Sequence, residues 1–560
     1  MKAYILLIFT FLVFTISSVA QNTKYIIRFS DKSGSPHSIS SPRTFLSQKS
    51  IDRRARQHIA IEYTDLPVSP AYLDSVRSAG NVSILNVSRW LNQVSIETDD
   101  DQALAKIKKF PFVLSSQPAM QPLRLSSFSE NKLQEEINDV SEQLNKFSLH
   151  DVFKYGNSGN QIRIHEGEFL HNTGFHGEGM TIAILDAGFY HYQSLPAFDS
   201  VRINQQILGT YDFVKNEVSV DEDHPHGMQC FSIIAANLPG QLVGSSPKAK
   251  YYLFRTEDGS SESIIEEHNW TAGAELADSL GCDVISTSLG YSTFDNPAFN
   301  HTYADMDGNT TIAARAADLA ARKGMIVVVS AGNAGNNAWH YISTPADADS
   351  IVAVGAIDSV GKVAAFSSFG PSADGQIKPT VASVGVRTAL QSPDGRIVGG
   401  NGTSFAAPNM AGLITCLWQA FPDFTNMEII EAVKKSSNRY NNPDDRSGFG
   451  IPNFRIAFND LSQQYALRNA ASLLSNNLFK IYPNPVRERF TVLITPTQSG
   501  NAQLRLINSA GQTVITRFIT TQAGQIQIIK FEDINRFTKG FYILQYLDDN
   551  NKVSQKLIIH

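Results

Sequence analysis

The feature that most constrains the fold is an alternation of strand-like and helix-like segments in the middle of the chain. The strand-like segments are short and mostly apolar, as buried strands are. They are residues 181–185, 250–255, 284–286, 325–329 and 351–354. The helix-like segments among them are residues 228–236, 261–279, 310–323 and 404–420. This alternation predicts an α/β fold built on a doubly wound parallel sheet.

Composition excludes several classes of protein. The chain has 560 residues, of which 42% are hydrophobic and 18% charged, so global disorder is excluded. With 47 basic and 53 acidic residues, the net charge is −6. A basic surface for nucleic acid is therefore not predicted. Only 3 cysteines occur, which excludes a disulfide-rich scaffold.

The amino terminus has the pattern of a secretory signal peptide over residues 1–20. Lys2 precedes an apolar run over residues 4–16, and Ser18 and Ala20 provide the small residues of a cleavage site. A membrane anchor is the alternative, but the run is shorter than the roughly 20 residues needed to span a bilayer. No later segment is apolar enough to span. We expect a mature protein outside the cytoplasm, with no membrane span.

Residues 21–120 predict a compact α+β unit. Strand-like segments are 24–29, 82–85, 90–96 and a last one opening at 113, and helix-like segments are 41–58, 70–79 and 99–109. Arg53, Arg54 and Arg56 favour a solvated helix face over a phosphate site. The polar residues 126–145 that follow predict a linker carrying a surface helix.

Three segments carry the residue types of nucleophilic catalysis. An apolar strand ends in Asp186, a helix-like segment opens at His226, and another opens at Gly402-Thr-Ser404. A serine hydroxyl is a poor nucleophile unless a histidine accepts its proton, and a buried carboxylate must fix the histidine tautomer. A serine at a helix N-terminus also lies where unbonded backbone N–H groups favour a developing oxyanion.

In the order Asp, His, Ser, these segments resemble the subtilisin-like serine proteases (peptidase S8). Asp186, His226 and Ser404 match that family's catalytic motifs, the last in the full Gly-Thr-Ser-Phe-Ala-Ala-Pro run. The chain departs after His226, where Met and Gln replace the family's Thr and second, non-catalytic His. His224 is a rival base at the wrong offset. The resemblance covers roughly residues 155–461.

The resemblance also implies an oxyanion hole and a substrate pocket. Asn333, in an Ala-Gly-Asn motif, is the implied oxyanion donor together with the backbone N–H of Ser404. The implied pocket residues are Ser288, Leu289, Gly290, Ser330, Ala331 and Gly332. The alternatives are an asparagine in a turn and an ordinary strand end. Neither pocket stretch contains Asp or Glu, so we expect a pocket for apolar or varied side chains.

Cysteines and metals add little to the predicted chemistry. Cys230, Cys282 and Cys416 are odd in number and lack zinc-site spacing, which favours buried free thiols. The acidic residues 221–223 suit either a Ca²⁺ site or a surface loop. No cofactor is predicted to be required, and Ca²⁺ remains a candidate ligand.

The α+β unit resembles the family's propeptide, which makes the chain's own propeptide an implied partner. A doubly wound parallel sheet forms slowly, so a folding template has a physical rationale. Self-cleavage between about residues 113 and 155 would release it.

Residues 478–560 show period-two patterning and predict an all-β sandwich. The strand-like segments include 490–494, 502–507, 513–516, 525–529, 541–546 and 553–559. Tyr-Pro-Asn-Pro at 482–485 and Gly-Phe-Tyr at 540–542 resemble the C-terminal sorting domain of type IX secretion cargo in Bacteroidota. That implies the type IX machinery as a partner and export through the periplasm to the surface or medium. A carbohydrate-binding or adhesion sandwich is the alternative.

Together these patterns predict a secreted serine endopeptidase that acts on protein or peptide substrates. An adhesion protein with an inactive protease fold is the rival, but all the implied catalytic residues are present. An esterase is a third hypothesis, yet Gly-Thr-Ser is not the nucleophile elbow of those enzymes. The predicted segments are a signal peptide (1–20), a propeptide (21–120), a processing linker (121–154), a catalytic domain (155–465), a linker (466–477) and a sorting sandwich (478–560).

Overall fold

The structure is a computed structural model. It describes residues 23–120, 133, 136–139, 151–468, 479–486, 489–532 and 534–559. The predicted signal peptide, most of the processing linker and most of the second linker lie outside these residues, so those predictions stay predictions.

The described residues divide into two compact units. One comprises the residues up to Ile430 together with Ser437–Ile451, and the other comprises Glu431–Ser436 with the residues from Pro452 onward. Within the part of the chain that is described, no helix is both long and apolar enough to cross a membrane.

The first unit begins with the predicted α+β arrangement. Its elements are β1 (Thr23–Phe29), α1 (Gln48–Arg56), α2 (Pro70–Arg77), β2 (Ser83–Ser88), β3 (Gln93–Thr98), α3 (Asp101–Ile107) and β4 (Val113–Met120). The strands form an antiparallel sheet in the order β2-β3-β1-β4. Ile27, Phe29, Val94 and Ile96 lie in its hydrophobic core. We call residues 23–120 the leader unit.

Helix α1 differs from its prediction in two respects. It begins at Gln48 rather than residue 41, because the side chain of Ser47 accepts the backbone N–H of Ser50 and caps the helix there. The predicted solvated face is wrong for Arg53 and Arg54, which are buried; Arg56 is exposed. Burial is tolerated because both guanidinium groups pair with carboxylates.

The rest of the first unit contains the alternating strands and helices. Its elements are β5 (Glu136–Asp139), α4 (Gly159–Arg163), α5 (Gly167–Asn172), β6 (Thr181–Asp186), α6 (Asp199–Ile203), β7 (Ile207–Asp212), α7 (His226–Ala235), β8 (Asn237–Leu238), β9 (Leu242–Val243), β10 (Lys250–Arg255), α8 (Ile265–Leu280), β11 (Val284–Thr287), α9 (Ile312–Arg322), β12 (Ile326–Ser330), β13 (Val352–Ile357), β14 (Val381–Val384), β15 (Thr388–Gln391), β16 (Ile397–Asn401), α10 (Thr403–Ala420) and α11 (Asn426–Lys435).

A seven-stranded sheet in the order β14-β13-β12-β11-β6-β10-β7 organises this region. Every neighbouring pair is parallel, which confirms the predicted α/β fold class. The central strands β6, β11 and β12 are buried along their whole length, as expected when helices cover both faces. Helices α8 and α9 pack together on one face, where Ala183 and Leu185 join their core. Helices α7 and α10 pack together on the other.

A small antiparallel sheet adds β15, β16 and β5, and a two-stranded hairpin joins β8 to β9. Strand β5 lies within residues 126–145, for which a surface helix was expected. That expectation is wrong for residues 136–139, because their backbone pairs with β16. The remainder of that segment lies outside the described residues, apart from Leu133.

The second unit contains the end of α11, then α12 (Phe454–Arg468), followed by a series of strands. They are β17 (Phe479–Tyr482), β18 (Phe490–Ile494), β19 (Gly500–Asn508), β20 (Thr513–Thr521), β21 (Gln527–Phe531), β22 (Gly540–Leu547) and β23 (Lys552–Ile559). Two antiparallel sheets, β17-β18-β21 and β20-β19-β22-β23, share one hydrophobic core. The predicted all-β sandwich is confirmed. Single 3₁₀ turns occur in the two units at Pro42–Thr44, Tyr63–Asp65, Pro196–Phe198, Pro297–Phe299, Tyr303–Asp305 and Ile534–Arg536.

Candidate active site

The structure brings Asp186 and His226 into direct contact at the carboxyl end of β6. Asp186 Oδ1 lies 2.6 Å from His226 Nδ1, and both side chains are almost fully buried. The backbone N–H of Ala187 donates a second bond to the same oxygen, at 2.8 Å. His224, the rival base, instead accepts the backbone N–H of His226 at its Nδ1, at 3.2 Å. The geometry therefore orients the His226 ring by its Nδ1 side.

Close backbone packing makes that contact possible. A Cβ on Gly227 would come within 2.4 Å of the carbonyl oxygen of Gly188 and 2.8 Å of Asp186 Cβ. Gly188 itself has φ +140°, and a Cβ there would come within 2.5 Å of the backbone nitrogen of His224. Glycine at both positions lets α7 start directly against the end of β6.

Ser404 is the second residue of α10 and is 5% exposed. The ring of His226 lies 6.2 Å from the ring of Phe405, so the Asp186–His226 pair sits beside the start of this helix. Ser404 Oγ donates a hydrogen bond to the carbonyl oxygen of Ser288 at 3.4 Å. The hydroxyl of Ser404 is thus held at the carboxyl end of β11.

A proline inside α10 frees the carbonyl of Ser404 for other bonds. Pro408 lies four residues after Ser404 and has no N–H, so it donates no helical bond to that carbonyl. Ser288 Oγ donates to this oxygen at 2.8 Å, and Cys230 Sγ lies 3.3 Å from it. Because Cys230 is one turn beyond His226 on α7, these bonds tie the two helices together at the site.

Asn333 follows β12 and is oriented by the residue before Ser404. Its Oδ1 accepts two bonds from Thr403, from the backbone N–H and from Oγ1, each at 2.8 Å. Because Thr403 of α10 holds the amide oxygen of Asn333, the amide nitrogen of Asn333 lies on the side of the amide group away from Thr403. Thr403 was not singled out from the sequence, although it stands inside the motif that identified Ser404.

A cavity of about 200 Å³ opens beside Ser404. Of the six predicted pocket residues, five line it, namely Ser288, Leu289, Gly290, Ser330 and Gly332. Ala331 does not; its backbone N–H bonds to the carbonyl of Val354 and its side chain is fully buried. Asn333, Thr403 and Ser404 also line the cavity, so oxyanion and nucleophile candidates face one space.

Sequence patterns missed several wall residues. Ser343 and Ser368 line the cavity from loops, with no motif around them. A Cβ on Gly332 (φ +105°) would come within 2.9 Å of Ser368 Oγ and 3.2 Å of Ser343 Oγ. A Cβ on Gly290 would come within 2.3 Å of Ser343 Oγ. The glycines therefore create the room that the serines border.

Carboxylates reach the cavity from the segment after β10. Glu257 and Glu262 line it, and their oxygens lie within 4.8 Å of one another and of Glu266. Tyr291 donates its hydroxyl to Glu257 Oε2 at 3.0 Å, and burial raises the pKa of Tyr291 well above its usual range. The pocket stretches themselves contain no acid, but the cavity as a whole does.

The cysteine prediction is confirmed, since all three thiols are free and buried. Burial raises the pKa of Cys282 and of Cys416 to about 12, so these two stay protonated near neutral pH. Among the acidic residues 221–223, Asp223 is held by basic side chains. Asp223 Oδ1 pairs with Lys215 at 2.7 Å and with Arg255 at 3.0 Å, so two cations already neutralise this carboxylate.

Comparisons with known proteins agree with this arrangement. Residues 177–450 match the family model described as the subtilase family, and residues 24–136 match a peptidase S8 propeptide domain of Bacteroidota. Residues 480–560 match a secretion system C-terminal sorting domain, which indicates secretion or a cell-surface location.

Curated relatives are similar over about half of the chain. Serine protease AprX of Bacillus subtilis is 29% identical over 297 residues, 48% of this chain and 63% of that protein. The thermostable alkaline protease of Halalkalibacterium halodurans is 27% identical over 278 residues, 49% of this chain and 66% of that protein. Subtilisin E of Bacillus subtilis is 28% identical over 277 residues, 49% of this chain and 64% of that protein. Each match spans less than two thirds of the relative.

Proposed function

The chain contains a domain of the subtilase family, and on that premise we propose that it is a secreted serine endopeptidase for protein or peptide substrates. The observation that carries the proposal is the buried 2.6 Å contact between Asp186 and His226 beside the cavity that Ser404 and Asn333 line. A carboxylate, an imidazole and a hydroxyl in this order suit acyl transfer.

In the first step, Ser404 Oγ attacks the carbonyl carbon of the scissile peptide and its proton passes to His226 Nε2. Asp186 holds the proton on Nδ1, which fixes the tautomer and stabilises the imidazolium that forms. The imidazolium then gives its proton to the leaving amine as the C–N bond breaks. A water molecule repeats the sequence on the acyl-enzyme and releases the acid.

The oxyanion of each tetrahedral intermediate is stabilised by N–H donors already in place. We assign this role to the side-chain amide of Asn333 and the backbone N–H of Ser404. Thr403 holds the amide oxygen of Asn333, so its nitrogen needs no reorganisation when charge develops. Such preorganised donors are worth most where water is excluded.

The residues present supply every step, so the proposed reaction needs no organic cofactor. Ca²⁺ remains a candidate structural ligand. The leader unit, as the chain's own propeptide, and the type IX secretion machinery are the proposed partners. The first rests on the match over residues 24–136 and the second on the match over residues 480–560.

The test compares purified full-length wild type with Ser404→Ala on casein and on the chain itself. Replacing the nucleophile should abolish both casein hydrolysis and self-processing. Ser194→Ala is the matched control, because Ser194 is an exposed serine of the same unit that bonds only to the nearby carbonyl of His191. Normal hydrolysis by Ser404→Ala would refute the proposal.

A further inference from the structure

A residue from beyond the leader unit lines the cavity beside Ser404. Leu133 is half-buried and lines this cavity together with Ser288, Gly290, Ser330 and Gly332 of the predicted substrate pocket. It also packs against the hydrophobic core to which Leu289 belongs. A leucine of the chain itself thus stands where the side chain of a bound substrate would lie.

Three residues after Leu133, the chain pairs with β16, the strand that leads into Ser404. Strand β5 pairs antiparallel with β16, with Glu136 opposite Asn401 and Ile137 opposite Gly400. Asn401 Nδ2 donates to Glu136 Oε2 at 2.7 Å. This is strand addition, the mode in which proteins bind extended peptides.

The two anchors are close together in both sequence and space. Leu133 precedes Glu136 by three residues, so fully extended chain between them spans at most about 11 Å. The partner of Glu136, Asn401, precedes Ser404 by three residues in turn. Leu133 and strand β5 therefore both lie near the start of α10, where Ser404 stands.

From these contacts, and resting on the proposed function, we infer that the chain cleaves itself on the carboxyl side of Leu133 and that the pocket selects a leucine-like apolar side chain before the scissile bond. Ser404 Oγ attacks the carbonyl carbon of Leu133 and His226 takes the hydroxyl proton. The C–N bond breaks and His226 protonates the amine of residue 134. Water then releases the carboxylate of Leu133 from Ser404.

Two observations favour apolar selectivity, namely the side chain of Leu133 in the cavity and the absence of Asp and Glu from the two predicted pocket stretches. Small neutral residues, Ser330 and Ser343 among them, line the cavity and leave room at Gly290 and Gly332, while Leu289 adds an apolar wall. Glu257 and Glu262 reach the same cavity, so a basic side chain is the competing occupant. The shape of the cavity does not decide between an apolar and a basic side chain, so the peptide experiment is designed to separate them.

The first experiment follows maturation of the purified full-length chain by intact mass and amino-terminal sequencing. Wild type should yield a mature form beginning at Gln134. Leu133→Asp should slow this cut at least about 100-fold, because the pocket would have to take in a charge. Leu114→Asp is the matched control, since Leu114 is 60% exposed in the leader unit, and it should mature at the same bond and rate.

A second measurement does not depend on the folding of the variant precursor. Mature wild-type enzyme is given peptides copying residues 128–139 with Leu, Asp or Lys at position 133. The Leu peptide should be cut after that residue, with kcat/KM at least about 100-fold above the Asp peptide. A Lys peptide cut as well as the Leu peptide would overturn the apolar selectivity.

The outcomes separate this inference from the proposed function. A mature terminus at another residue, with Ser404→Ala unprocessed, overturns the Leu133 site alone. Leu133→Asp maturing at the wild-type rate and bond overturns it too. Processing of Ser404→Ala at the wild-type rate in the purified protein overturns the proposed function itself.

Discussion

Truncating one buried arginine of the leader unit should sharply weaken its hold on the rest of the first unit. Arg53 of α1 is fully buried, and its Nη2 lies 2.5 Å from Asp278 Oδ1 of α8. Its Nε also donates to the carbonyl of Lys323 at 3.3 Å. Arg53→Ala removes all of these bonds and leaves a void at the interface.

The expected magnitude follows from what remains. Removing one partner of a buried ion pair typically costs about 3–5 kcal/mol. Arg54 and Arg89 still contact Asp278, at 2.6 and 2.9 Å, so its charge is not left alone. We therefore expect a cost at the lower end of this range, about 3 kcal/mol. Since about 1.4 kcal/mol corresponds to a tenfold change in affinity, the leader unit should bind about 100-fold more weakly.

The assay uses the full chain after it has matured. A cleaved leader that ends at Leu133 in the cavity would block substrate while bound. Diluting the matured mixture should therefore release activity, and the dilution at half release reports the affinity. Lys49→Ala is the matched control on the same helix. Lys49 pairs with Asp283 at 2.7 Å, but its side chain is 37% exposed, so the loss should be about 1 kcal/mol or less. Equal shifts for Arg53→Ala and Lys49→Ala would refute the reasoning.

Two further predictions concern the pH dependence of leader release and the oxyanion donors. Burial lowers the pKa of His268 from 6.5 to about 3 where its Nδ1 meets Gln93 Nε2 of the leader unit at 2.6 Å. Release should restore an ordinary pKa to His268, so the free enzyme binds the proton more tightly than the complex does. Lowering the pH from about 6.5 toward 3 therefore favours release of the leader unit. In the dilution assay, His268→Gln should lose this pH dependence, and an unchanged pH dependence would contradict the prediction. Asn333→Ala should lower kcat about 10²- to 10³-fold with little change in KM. Thr403→Val keeps the backbone bond to Asn333 and should cost only about tenfold, so equal losses in steady-state assays would argue against the positioning role.

Sequence patterns predict the parallel sheet well because its strands are buried on both faces. Strands β6 and β12 are mostly apolar, and β6, β11 and β12 are short and buried along their whole length, which separates them from the longer helices around them. The positions of Asp186 and His226 follow from the end of one such strand and the start of one helix. The local sequence is therefore enough to predict where these two residues lie in the fold.

Strand β5 could not be predicted from its own residues. Glu-Ile-Asn-Asp has one apolar side chain and no period-two pattern, and Ile137 is 42% exposed. What makes it a strand is backbone pairing with β16, more than 250 residues away in sequence. Leu133 likewise carries no motif, and only the tertiary fold brings it to the cavity beside Ser404.

The buried arginines show the same limit. Three arginines in four helical positions are typical of a solvated face, and Arg56 obeys that pattern. Arg53 and Arg54 do not, because Asp278 lies more than 220 residues later and only the tertiary fold brings it to them. Serines such as Ser343 and Ser368 pose the equivalent difficulty at the pocket wall, since isolated loop serines give no signal.

The most direct test of the central claim is covalent labelling of the matured enzyme with a fluorophosphonate, followed by peptide mass spectrometry. The proposed chemistry predicts a single adduct on Ser404, with loss of casein hydrolysis in proportion to labelling. His226→Ala should label at least about 100-fold more slowly, because the hydroxyl then lacks its base. An adduct on another residue, or full hydrolysis of casein by fully labelled enzyme, would contradict the claim.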